Sequence, residues 1–221
     1  MEFNFEPVLD SWQFLLGGLG VTLQLAFGVV LLSFSLGTAI ALARRYGPGW
    51  LRVILVFYID SMRAIPVLVV LVWMYFALPI ATGWNMPPFW SALVALSIHL
   101  AAYVAEVVRA GIESVRLGQI RAGLALGMSG PQVVRKIVLP QAIVRMMPAF
   151  GSLLSLAVKD TAIATVIAVP ELMRRADAVA GQSYAPVEVF TTVMILYFIV
   201  IFPLTRIVDI VYKRVAFLGR S

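Results

Sequence analysis

Five stretches of this chain are apolar over the length that a bilayer demands. A spanning helix needs about 20 predominantly apolar residues. The run from Leu19 to Ala43, "LGVTLQLAFGVVLLSFSLGTAIALA", exceeds that without a single charge. The other four runs are approximately 54–78, 89–113, 147–169 and 188–211, the third and fourth keeping the length despite internal charges. With 62% hydrophobic residues and a mean hydropathy of +0.97, the chain carries more apolar surface than a soluble domain can hide. The expectation is an all-α membrane protein with five transmembrane helices in a single domain over residues 1–221, and a long connection at about 114–146 between the third and fourth spans.

Charges between the runs orient them. Arg44, Arg45 and Arg52 follow the first run, Arg116, Arg121, Arg135, Lys136 and Arg145 follow the third, and Lys213, Arg214 and Arg220 follow the fifth. The connection "PIATGWNMPPFW" between the second and third has no charge, and 171–186 balances Arg174 and Arg175 against Glu171 and Asp177. Cationic loops stay in the cytoplasm, so the N-terminus is expected outside and the C-terminus inside. Trp12, Trp84 and Trp90 then fall at the outer interface, where amphipathic indoles belong. The acidic start, Glu2, Glu6 and Asp10, lacks the cationic region of a cleaved signal, so the first run is expected to be retained.

The same rule assigns the net charge of +6 to cytoplasmic loops, and no nucleic-acid partner is expected. No GxxxxGK[ST] phosphate loop occurs, so any ATP drive must come from another subunit, and no catalytic residue is assigned. With one histidine and no cysteine, neither a metal site nor a disulfide is expected.

The stretch "AGLALGMSGPQVVRKIVLPQA", Ala122 to Ala142, is too broken and too charged to span a bilayer. Leu117, Ile120, Leu124 and Met128 recur at helical spacing up to the turn-forming Gly127 to Gly130. Pro131 then suits the first turn of a second helix in which Val134, Ile137 and Val138 share a face before Pro140. The pattern reads as two short helices hinged at glycine. It fits a hairpin lying on the membrane surface and, equally, a docking knob for a cytosolic protein.

The pattern "RAGLALGMSGPQVVRKIVLPQA" resembles the EAA loop of bacterial ABC importer permeases. The flanking "AYVAEVVRAGIESVRLGQ" and "KDTAIATVIAVPEL", with "MRAIPVLVVLVWMYFALP" in the second span, resemble the polar amino-acid uptake branch, so the likeness covers almost the whole chain. It implies a multi-pass subunit of the bacterial cytoplasmic (inner) membrane, in contact with lipid. It also implies a second permease subunit, as a homo- or heterodimer, two cytosolic ATP-binding subunits that hold ATP and Mg, and an extracytoplasmic amino-acid-binding protein. No cofactor is expected on this chain itself. On this likeness the opening stretch is the cytoplasmic coupling helix, with Ala122, Gly123, Gly127, Met128 and Ser129 meeting the ATPase, and Gly127 allowing both a turn and a close backbone approach. One departure is Arg121, where the family pattern usually begins with glutamate.

Ionisable groups inside spans are costly and often functional. Arg63 lies in the second run, His99, Glu106 and Arg109 in the third, and Lys159 and Asp160 in the fourth. His99, Tyr103, Glu106 and Ala110 follow i, i+4, i+7, i+11 and share one helical face. Arg63, Glu106 and Asp160 are expected to meet near mid-bundle, Arg63 for the carboxylate of an amino acid and Glu106 or Asp160 for its ammonium, with His99 or Lys159 available to an anionic side chain. The plainer alternatives are ion pairs Glu106–Arg109 and Asp60–Arg63, and a histidine used only for packing. Pro66 and Pro203 are expected to kink the second and fifth spans, and Thr22 and Gln24 to pack between helices. The leading expectation is the membrane subunit of an ATP-driven importer for polar amino acids, acidic ones slightly favoured. A stand-alone secondary carrier or channel is the alternative, and a non-transporting scaffold a third class; no inverted repeat supports the carrier.

Overall fold

The structure, a computed structural model, describes residues 4–216, so Glu2 and Arg220 lie outside the described residues. Those residues form α1 (Glu6–Asp10), α2 (Trp12–Tyr46), α3 (Gly49–Ala64), α4 (Val67–Thr82), α5 (Pro88–Glu113), α6 (Leu117–Ala125), α7 (Gly130–Ile167), α8 (Leu172–Ser183) and α9 (Pro186–Val215), with no strand among them. Four helices, α2, α5, α7 and α9, are each long and apolar enough to cross a membrane, and the bent pair α3 and α4 makes a fifth if it counts as one span.

Three of the expected boundaries change, each for a local reason. The second run, 54–78, is not one helix: α3 and α4 meet at 108°, because Pro66 holds Ile65 in an extended conformation (φ −88°, ψ 131°) and removes a backbone donor. The fourth run, 147–169, is the later part of α7, which starts at Gly130, so the second half of 114–146 is helix and not loop. The connection 171–186 contains the helix α8. The first run extends outward to Trp12–Tyr46, and α5 and α9 match the third and fifth runs to within a few residues. Pro203 lies inside α9, which runs unbroken from 186 to 215.

Prolines also explain two widened turns. A proline within a helix clashes with the carbonyl four residues earlier. For Pro79 that residue is Tyr75 and for Pro140 it is Lys136, and these sit inside the π-helical turns Trp73–Ala77 and Val134–Val138. The extra residue in each turn moves the carbonyl out of the way, so Pro140 does not stop α7.

Of the long helices α9 is the most exposed, and α5 is the central and most buried one. It packs on α2, α3, α4 and α7, and the buried core includes Leu25, Val29, Leu71, Leu96, Leu100 and Val104. α9 presents Met194, Ile195, Phe198 and Ile199 outward, where lipid or a partner replaces water. The α2–α5 crossing is tight at Gly37: a Cβ there would stand 2.6 Å from both the Ala101 carbonyl oxygen and the Val104 Cβ. The first of these is backbone and cannot swing aside. Gly37→Val is therefore expected to destabilise the bundle by about 1–3 kcal/mol, as overpacked cores do. Thermal denaturation in detergent checks this, and an unchanged midpoint would mean that the two helices separate at little cost.

Candidate functional site

Three places combine exposed or charged side chains with a defined geometry. The first is the α6–α7 corner. Gly127 takes φ +80°, a left-handed conformation that side chains rarely adopt, and the Gly127 amide donates to the Leu124 carbonyl (3.0 Å) to close α6. Ser129 opens α7 with a capping box, its amide donating to Gln132 Oε1 (2.8 Å). Close approach occurs at Gly123 and not, within this chain, at Gly127. A Cβ on Gly123 would stand 2.7 Å from Ile137 Cδ1 and 3.2 Å from Val133 Cγ2, whereas one on Gly127 would meet nothing within 4 Å.

The apolar residues of α6 do not share one face. Ile120 and Met128 pack on the core with Ile137, while Leu117, Leu124 and Leu126 point outward, Leu126 at 84% exposure. Arg121 and Ala122 are exposed beside them. The corner is thus a rigid apolar knob, held from below by Gly123 and tied to α5 by Arg145, whose Nη1 donates to the Ser114 carbonyl.

The second place is the charged face of α5. Arg44, in the last turn of α2, donates to Glu106 Oε2 (2.9 Å), and Arg109 donates to Glu106 Oε1 (2.5 Å) and to Glu113. The Glu106–Arg109 pair is formed, and the Arg44 contact, which loop-based reasoning passes over, places Glu106 level with the end of α2. Among the described residues Asp60 and Arg63 form no ion pair; the Arg63 guanidinium lies over the Tyr103 ring (5.8 Å). His99 is buried and its Nε2 donates to the Ile65 carbonyl (3.2 Å), the group freed at the α3–α4 break, with Nδ1 unpartnered. Tyr58 donates to the Ile98 carbonyl (2.5 Å) and Tyr103 to the Arg63 carbonyl (3.5 Å), so three side-chain bonds fasten the break to α5. Interhelical bonds of this kind average about 0.6 kcal/mol in membranes, so together they contribute roughly 2 kcal/mol.

Lys159 and Asp160 stand apart from this group. Lys159 is exposed and borders a cavity of about 310 Å³ between α7 and α9, with Ser152, Ser155, Thr205 and Asp209 in its wall. Asp160 is half-buried and has no ion pair among the described residues. The structure therefore brings Arg63, His99 and Glu106 together along α5 and leaves Lys159 and Asp160 on α7.

The third place is Glu171, which sequence reasoning treats only as a loop charge. It is fully buried at the start of α8. Its carboxylate accepts from the amides of Met173 (2.9 Å) and Arg174 (2.7 Å), from Thr22 Oγ1 (3.4 Å) and from the Tyr197 hydroxyl (3.4 Å). Thr22 also accepts from the Leu172 amide (3.1 Å). Burial raises the Glu171 pKa and its four donors oppose that shift. The available signal was an acid at a helix N-cap ahead of Leu172, Ala176, Val179 and Ala180, which recur on one face.

The model of the family described as "Binding-protein-dependent transport system inner membrane component" matches residues 16–217. The chain belongs to that family. Within it, the arginine transport system permease protein ArtQ of Bacillus subtilis is 32% identical, over 97% of this chain and 98% of its own. The glutamine transport system permease protein GlnP of Escherichia coli is also 32% identical, over 99% and 100%. A solved structure titled "Crystal structure of an amino acid ABC transporter with histidines" superposes with a TM-score of 0.90 at 31% identity, covering 97% of this chain and all of the other. A structure of the MetNI methionine ABC transporter shares the fold at a TM-score of 0.78 and 23% identity. As a member of this family the chain is a membrane permease component.

Proposed function

We propose that the chain is the membrane-spanning permease subunit of an ATP-driven importer for polar amino acids. The single observation that carries this is the α6–α7 corner: a rigid apolar knob with a left-handed glycine, on a membrane protein whose sequence has no phosphate loop of its own. Such a knob suits a pair of cytosolic ATP-binding subunits, which supply ATP and Mg. Relatives named for arginine and glutamine support an amino-acid substrate, and the family's description as binding-protein-dependent supports delivery by an extracytoplasmic binding protein.

The orientation follows with the N-terminus outside. Arg44, Arg45, Arg52 and the cations of 116–145 stand at the same end as the knob, the pattern of a cytoplasmic side. On this reading the Glu171 network and α8 lie toward the outer side. For the substrate, Arg63 offers a guanidinium that has no carboxylate partner among the described residues, which suits the carboxylate of an amino acid. Glu106 has both oxygens engaged and His99 is turned to Ile65, which leaves Lys159 as the residue available to an anionic side chain.

Purifying the chain from a native membrane should bring with it a P-loop ATPase and a second copy or a second five-span permease. Single cysteines offer an independent test, since the chain has none of its own. Those at Gly83 and Gln182 are expected to react with an impermeant reagent outside and one at Gln132 not to. Labelling of Gln132 from outside would reverse the orientation, and a chain that transports without any ATPase would favour the stand-alone carrier.

A further inference from the structure

A cavity of about 390 Å³ opens where α2 ends, lined by Arg44, Arg45, Tyr46, Arg52, Arg109 and Glu113. Four guanidinium groups share it with one carboxylate. Glu106 and Glu113 take up Arg44 and Arg109 in the ion pairs already described. Arg45 lies over the Tyr46 ring (5.7 Å), and neither Arg45 nor Arg52 has a carboxylate partner among the described residues. Two cations are left over in a concave site whose volume lies within the usual range of ligand pockets, about 300–1,000 Å³. That excess calls for an anion, and guanidinium groups match phosphate oxygens in a bidentate manner.

A second observation selects the kind of anion. α3 begins beside the cavity, and its residues Trp50, Val53, Ile54 and Phe57 are 54–74% exposed at spacing i, i+3, i+4, i+7. One face of the helix that leads away from Arg52 is therefore a continuous apolar strip. Free phosphate gains nothing from such a strip, whereas an amphiphile does. Tyr46 and Trp50, both exposed, stand at the level between cavity and strip, where aromatic residues mark the membrane interface.

We propose that the arginine cavity binds the phosphate headgroup of an anionic phospholipid of the cytoplasmic leaflet, with an acyl chain lying along Trp50, Val53, Ile54 and Phe57. The site rests on the orientation given above, and it reads neither the substrate nor the coupling knob. Basic pockets between helices on the cytoplasmic side hold anionic headgroups by the same attraction. A lipid there bridges the α2–α3 connection to Arg109 of α5, so the leaflet's composition bears on how firmly α2, α3 and α5 hold together.

The test uses the assembled transporter in detergent, incubated with phosphatidylglycerol or with phosphatidylcholine and read by native mass spectrometry. The parent complex is expected to retain phosphatidylglycerol in preference. Arg45→Gln/Arg52→Gln is expected to lower that retention about tenfold or more, since each surface cation contributes close to fivefold, and Arg45→Lys/Arg52→Lys is expected to restore part of it. Equal retention of the two lipids by the parent complex overturns the proposal even if the glutamine variant fails to assemble, and so does unchanged retention by that variant. Displacement of the lipid by excess inorganic phosphate alone would make the site one for free phosphate. Loss of the ATPase from the glutamine variant with its lipid still bound would make the cavity a protein contact. Either result rejects a lipid site, and cysteine labelling at Gln132 reports separately whether the orientation itself has failed.

Discussion

Gly123→Leu is expected to lower uptake about tenfold or more, the factor that roughly 1.4 kcal/mol of lost docking free energy produces, while the chain still inserts and reaches near-normal abundance. The reason is local. A side chain at this position meets Ile137 and Val133 and lifts α6 away from α7, and with it the exposed Leu124 and Leu126, which on the proposed reading meet the ATPase. Uptake, abundance and substrate-stimulated ATP hydrolysis should be measured together. Normal stimulated hydrolysis with normal uptake would show that the knob's position does not govern coupling. Gly127→Asp should act in the same direction through the backbone, since φ +80° strains any residue with a Cβ.

Glu171→Ala is expected to be the most damaging single change to stability, at about 3 kcal/mol, from loss of a helix cap and the exposure of several buried donors without an acceptor. Thr22, Tyr197 and the amides of Met173 and Arg174 all point at this carboxylate. Glu171→Gln should lose less, since one oxygen remains to accept while the new amide group faces donors. A lowered thermal midpoint ordered parent, Gln, Ala is the expected result. Equal midpoints for the three would mean that α8 is held by Leu172, Ala176 and Val179 alone.

The spans were legible because apolar length is a property of consecutive residues, and the two-helix corner because glycine and proline punctuate it. The depth of the break at Pro66 was not. Proline announces a lost hydrogen bond, but the angle depends on what accepts the freed groups, here His99 thirty-four residues further along. The onset of α7 was hidden for the opposite reason, since Pro140 looked like a stop and a π turn let the helix pass. Side-chain partners were legible only within one helix: Glu106 and Arg109 are a turn apart, whereas Arg44 reaches Glu106 from another helix. Glu171 was missed because burial of a loop acid is decided by Thr22 and Tyr197, which stand far from it in the chain.

α7 runs without interruption for 38 residues from the corner to Ile167. At about 1.5 Å per residue it is roughly 57 Å long, close to twice the hydrocarbon thickness it crosses. On the proposed reading such a helix would act as a lever. If its pivot lies at one end, every degree of tilt moves the other end by roughly 1 Å, so a swing of a few degrees driven at Gly130 displaces the chain beyond Asp160 by about the width of a small solute. No folding or unfolding step is required along the way. The gearing is set by where α5 grips α7, and moving that fulcrum would change the stroke without altering any residue that touches either partner.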